Sequence, residues 1–199
     1  MTRTVPAIEA ESYLIIRSLV DTSALPPLTR AVVERLIHAS ADVGYLTDLV
    51  TTEADLERGR AALLAGAPTV TDVTMVGAGI SRPHLVGDVV CTVADQATAE
   101  AAAIAGITRS AAGMRRAFAA VGHGAVWVVG NAPTALFEIL ALDVRPALVV
   151  GIPVGFVGAA ESKAALRASG LPQLSNVSAK GGSPLAAAAV NALLYHLAE

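Results

Sequence analysis

The residue pair best suited to acid–base chemistry is Arg35 and His38, three positions apart in Glu34-Arg35-Leu36-Ile37-His38. That spacing puts both on one face of a helix, with Leu36 and Ile37 turned elsewhere. A guanidinium beside a titratable imidazole is a way to bind an anion next to a proton donor. A histidine near the end of a helix also serves plain structural roles, and the spacing alone leaves both readings open. His84, His123 and His196 lack a cationic neighbour of this kind. Thr108-Arg109-Ser110 marks a second helix start, where Arg109 can fork onto a carboxylate while Ser110 caps. Capping with a solvent-facing Arg is the alternative there.

Other chemistries fail on detail. No His, Cys, Asp or Glu cluster has metal-ligand spacing, and the single Cys91 excludes an internal disulfide. Ser110, Ser162 and Ser183 lack the Gly-x-Ser-x-Gly elbow of a serine nucleophile. Gly77-Ala78-Gly79 begins like a dinucleotide fingerprint, but Arg82 stands where a small residue is needed, and Pro83 works against helix at Arg82. The expectation is a protein with no organic cofactor and no protein-bound metal. Lys163 and Lys180 are the only lysines. Lys163, in the first turn of a helix beside Glu161, reads as half of a surface ion pair.

The elements that must position these residues follow from apolar spacing and breakers. Helices are expected at Ile8–Val20, from Pro27 or Leu28 to Ala39, and at Glu53–Ala65, Ala94–Gly106, Ser110–Ala120, Pro133–Leu142, Ala159–Ser169 and Ser183–Leu197. Strands are expected at Pro68–Val73, within Gly87–Thr92, at Ala125–Val129 and at Ala147–Val150. The last two strands are apolar on both faces and alternate with helices. That argues for a mostly parallel sheet covered on both sides: one three-layer α/β domain over residues 1–199, with a helical N-terminal region. Ligands of such sheets sit outside the carboxyl ends of the strands. There, Gly130, Gly151, Gly155, Gly181 and Gly182 either let the backbone approach an anionic ligand or make tight turns and close helix–sheet contacts.

Composition bounds the partners. The chain has 199 residues, 54% of them hydrophobic, with a net charge of −3. It has no basic run, so nucleic acid is not an expected partner. The uncharged stretch Pro146–Ala160 is too short and too broken for a membrane span, and the first residues lack the apolar core of a signal peptide. A cytoplasmic protein is expected.

Taken together, Arg35-Leu36-Ile37-His38-Ala39, Asp72-Val73-Thr74-Met75-Val76, Thr108-Arg109-Ser110-Ala111-Ala112, Gly130-Asn131-Ala132-Pro133-Thr134-Ala135-Leu136, Pro153 to Ala159 with Glu161-Ser162-Lys163, and Gly181-Gly182-Ser183 resemble the precorrin-8X methylmutase family. The resemblance runs from about Glu11 to Leu194. It departs at Ser178-Ala179-Lys180, where Gly-Arg is more usual. It implies an isomerase of corrin-ring biosynthesis that moves a methyl group from carbon 11 to carbon 12, with a histidine as proton donor and acceptor. That role maps onto His38, and substrate contacts map onto Ser12 and Arg35. Arg109 and Asn131 join them on motif grounds. The resemblance also implies an anionic tetrapyrrole substrate and a homodimer. A non-catalytic corrinoid or tetrapyrrole carrier is the alternative.

Overall fold

The computed structural model describes residues 5–196. The chain runs α1 (Ala7–Leu19), α2 (Pro27–Ser40), α3 (Tyr45–Asp48), β1 (Leu49–Thr51), α4 (Glu53–Leu64), β2 (Thr69–Thr71), α5 (Thr74–Gly79), a 3₁₀ turn at Arg82–His84, β3 (Val89–Val90), α6 (Gln96–Ala105) and α7 (Arg109–Val121). It continues through β4 (Val126–Val129), α8 (Pro133–Ala141), β5 (Leu148–Gly151), α9 (Ala159–Ala168), β6 (Gln173–Asn176) and α10 (Ser183–Tyr195). The last helix was expected to reach Leu197, which lies outside the described residues.

Six strands form one sheet in the order β1-β6-β5-β4-β2-β3, with every pair parallel except β1 on β6. The expected mostly parallel α/β sheet is present, with two strands more than the sequence reading assigned. β6 carries Gln173, Ser175 and Asn176, and β1 is three residues long, so neither shows an apolar run. Sheet pairing rather than local hydrophobicity makes them strands.

Alternation within the strands divides the core. Val126, Val128, Leu148 and Val150 face α2, α4 and α10, whereas Trp127, Val129 and Val149 face α7, α8 and α9. Each such side chain, once fully buried, contributes about 1.5–3 kcal/mol of transfer free energy. α10 is buried along almost its whole length through Ala186–Ala189, Val190, Leu193 and Leu194. It lies between the sheet and α2, and a helix apolar all round suits that place. α1 packs on α2 as the outermost layer of this face. Small residues permit the close approach. A β-carbon on Gly59 would stand 2.4 Å from Leu148, and one on Gly130 would stand 2.8 Å from the Ser183 Cα.

Connections leave β2 toward β3 on one side and reach β4 on the other, so the switch point of the sheet lies between β2 and β4. Asp72 follows β2 there, and Gly130-Asn131-Ala132 follows β4.

Candidate active site

His38 sits in the last turn of α2, exposed at the surface, and Ser12 sits on α1 opposite it. The Ser12 Oγ is 2.8 Å from His38 Nδ1. The second ring nitrogen has no protein partner among the described residues. The two side chains line a groove of about 330 Å³ with Ile8, Ile15, Ile37 and Val43. α2 ends at Ala41 in the left-handed conformation, φ 55°. A residue with a β-carbon pays about 1–2 kcal/mol for that geometry. Two contacts fix the chain just beyond it: Asp42 accepts the Gly44 amide at 2.9 Å and pairs with Lys180 at 2.8 Å. This ion pair ties the His38 end of α2 to the loop after β6.

Arg35 shares the α1-facing side of α2 with His38, as its spacing predicts. Its guanidinium donates to Glu9 at 2.8 Å, reaches the Tyr13 hydroxyl at 3.5 Å and lies over the Tyr195 ring at 5.2 Å. Tyr13 links the two halves, its ring 5.6 Å from that of His38. Burial pushes the Tyr13 hydroxyl pKa up, although the Arg35 guanidinium pulls it back. Arg35 opens on a second, larger cleft of about 1020 Å³ lined also by Arg17, Arg30, Arg60 and Tyr195. Among the described residues, the Arg35 Nε is buried there without a hydrogen-bond partner.

Arg109 and Asn131 stand apart from these three, at the carboxyl ends of the strands. Arg109 is the first residue of α7 and Asn131 belongs to the loop entering α8. The Thr108 and Thr134 hydroxyls, 2.7 Å apart, join the two helix starts. Both Arg109 and Asn131 are exposed. A cation at a helix N-terminus opposes the macrodipole, so local helix energetics do not account for Arg109. The cap is Thr108, whose hydroxyl accepts from the Ala111 amide at 3.2 Å, and not Ser110 as expected. Thr108 has the extended backbone that lets a cap side chain fold back.

One further expectation is corrected. Lys163 is no surface ion pair. It is fully buried, and its ammonium donates to Asn176 Oδ1 at 2.9 Å, to the Lys180 carbonyl at 2.8 Å and to the Ser178 carbonyl. Burial pushes its pKa down to about 8. Asp48 completes this network, accepting the Val177 and Ser178 amides and the Ser178 hydroxyl. Burial acts to raise the Asp48 pKa, but donors from Ser178 and Asn176 outweigh it and hold the carboxyl below its ordinary value. The sequence clue was the rarity of lysine in an Arg-rich chain: a compact ammonium with three donors fits a point where three oxygens converge, and a planar guanidinium does not.

Gly130, Gly151 and Gly181 follow the bland reading rather than the ligand one. A β-carbon on Gly151 would stand 2.6 Å from Leu166, and one on Gly181 would stand 2.3 Å from the Ile152 carbonyl. The amides of Gly130, Asn131 and Ala132 point at Asp72, whose two carboxylate oxygens accept them at 3.1, 2.8 and 2.8 Å. Asp72 is fully buried. Burial raises its pKa against the pull of those three donors. Its own side chain thus occupies the anion nest at the switch point. The signal available in sequence was a single acidic residue near the end of the expected Pro68–Val73 strand.

The family model for precorrin-8X methylmutase matches residues 7–196. A cobalt-precorrin-8 methylmutase of Salmonella typhimurium is 44% identical, over 96% of this chain and 95% of its own. A precorrin-8X methylmutase of Pseudomonas aeruginosa is 41% identical, over 94% and 93%. The chain belongs to the precorrin-8X methylmutase family. The solved structure of precorrin-8X methylmutase from Thermus thermophilus superposes with a TM-score of 0.85 at 35% identity, covering 95% of this chain and 96% of that one. Relatives named as methylmutases speak for an isomerase of corrin-ring biosynthesis, and nothing supports the carrier alternative. Among the described residues no helix is long and apolar enough to cross a membrane.

Proposed function

We propose that this chain moves a methyl group from carbon 11 to carbon 12 of precorrin-8X, giving hydrogenobyrinic acid, or of cobalt-precorrin-8, giving cobyrinic acid. His38 is the proton donor and acceptor. The observation that carries the reading is the Ser12–His38 hydrogen bond at 2.8 Å within a matched family model. An isomerisation returns every atom it borrows, so the group that gives a proton must take one back. A serine hydroxyl serves both phases, because it donates to a bare Nδ1 or accepts from a protonated one. The other ring nitrogen then works as donor in one tautomer and acceptor in the next.

Arg35, Arg109 and Asn131 meet the substrate's carboxylates and amide-accepting edges, and Ser12 also contacts substrate. Cobalt, where present, belongs to the substrate. The enzyme acts as a cytoplasmic homodimer. The test is to incubate the purified protein with precorrin-8X and follow the visible spectrum, since the methyl shift changes the conjugated system. Conversion to the spectrum of hydrogenobyrinic acid is expected, and an unchanged spectrum would refute the reading.

A further inference from the structure

The loop joining β5 to α9 carries two large apolar side chains straight into solvent: Phe156 is exposed at 101% and Val157 at 89%. Glycines hold the loop in this shape. Gly155 (φ 139°) and Gly158 (φ 77°) occupy backbone geometries that side chains disfavour, so the chain turns out and back between them. The loop is anchored at both ends, by the Gly155 amide donating to the Ala179 carbonyl at 3.2 Å and by Gly158 packing on Pro133. Cationic and polar groups flank it on both sides. Pro133 and Thr134 connect it to Asn131 and, through Thr108, to Arg109, which has no carboxylate partner among the described residues. Lys180 follows Ala179 on the other side, its ammonium on Asp42.

An apolar centre between cations, at the carboxyl ends of parallel strands, complements a flat ring whose rim carries carboxylates. We propose that Phe156 and Val157 are substrate-contact residues that cover the apolar face of an anionic tetrapyrrole, with the flanking cations turned to its carboxylates. This rests on the function proposed above and deepens it. The competing occupant is a second copy of this chain.

The experiment compares wild type with Phe156→Ala, Val157→Ala and the control Val86→Ala, an exposed apolar residue ahead of β3 at the opposite, amino-end rim. Melting temperature, sedimentation mass, the Kd for hydrogenobyrinic acid by equilibrium dialysis, and KM and kcat with precorrin-8X are measured for each. Stripping an aromatic contact should raise Kd and KM about tenfold or more for Phe156→Ala, somewhat less for Val157→Ala. Melting temperature and mass should hold, and Val86→Ala should change nothing. Wild-type affinity and KM in Phe156→Ala, while the wild type binds and turns over, would overturn the contact and leave the proposed function standing. A lowered mass in Phe156→Ala would also overturn it, by giving the loop to a second copy. A wild type that neither binds nor converts the corrinoid would remove the functional reading itself, and this inference with it.

Discussion

Two arginines assigned the same role stand in opposite circumstances. Arg35 is held by Glu9 and the Tyr195 ring and is mostly covered, whereas Arg109 is exposed at a helix start. Charge-assisted bonds to a substrate carboxylate are worth about 1.5–3 kcal/mol. Either Arg→Ala change should therefore weaken binding about ten- to a hundredfold in a titration, and the solvated Arg58→Ala should not. Stability separates the pair. Arg35→Ala strips a partner from the buried Glu9 carboxylate and should lower the melting temperature, while Arg109→Ala removes an unfavourable charge from the α7 N-terminus and should not. Equal melting temperatures for the two variants would contradict this geometry. Lys163 gives a third test. Its pKa is near 8 in the fold, against about 10.4 in an unfolded chain. Between these values the unfolded chain binds more protons, so this group's contribution to stability grows as pH rises from 8 to 10.5 and is lost as pH falls through 8. Wild type should gain melting temperature relative to Lys163→Met over that window, and a constant difference would rule out a buried, depressed ammonium.

The elements were legible in sequence where local pattern and global role agree. α1, α2, α4, α8 and α10 follow from apolar spacing and Pro or Gly breakers, and β4 and β5 from uninterrupted apolar runs. What was not legible depends on distant partners. β6 has a polar sequence, and β1 is fixed by pairing with it across the chain. Lys163 lies near the start of α9, and only the loop after β6 explains its burial. His38 and Arg35 could be read from their spacing; Glu9 and Tyr195 as partners of Arg35 could not, because no local rule joins positions so far apart. Asp72 shows the same limit at the switch point. Any Asp72→Asn side chain offers one oxygen where two accept, so at least one of the three loop amides meets an NH₂ group. A buried donor left unmet costs about 1–3 kcal/mol. Asp72→Asn should lower the melting temperature by several degrees and should raise KM through Asn131. Wild-type stability would show that Asp72 does not hold the loop.

For the whole molecule, the layered sheet does two jobs. It sets α2 and α1 over α10 on one face, with His38 and Ser12 at the outside, and it gathers the loops after β4, β5 and β6 at one rim. The Asp42–Lys180 pair joins the two regions. No three His, Cys, Asp or Glu side chains among the described residues come together as a metal site, and the proposed reaction supplies no electrons and imports no group. Protein dialysed against a chelator and verified metal-free should keep full activity with no nucleotide, flavin or methyl donor added. Activity lost on dialysis and restored by one of these additions would refute a self-sufficient acid–base isomerase. The central claim is narrower: His38 moves the proton. General acid–base groups contribute about a hundred- to ten-thousandfold. Turnover of precorrin-8X by His38→Ala, followed by its absorption spectrum beside wild type, should drop by a factor in that range while the melting temperature stays unchanged, because His38 is exposed and its hydrogen bond to Ser12 lies at the surface. Turnover at the wild-type rate would contradict the account.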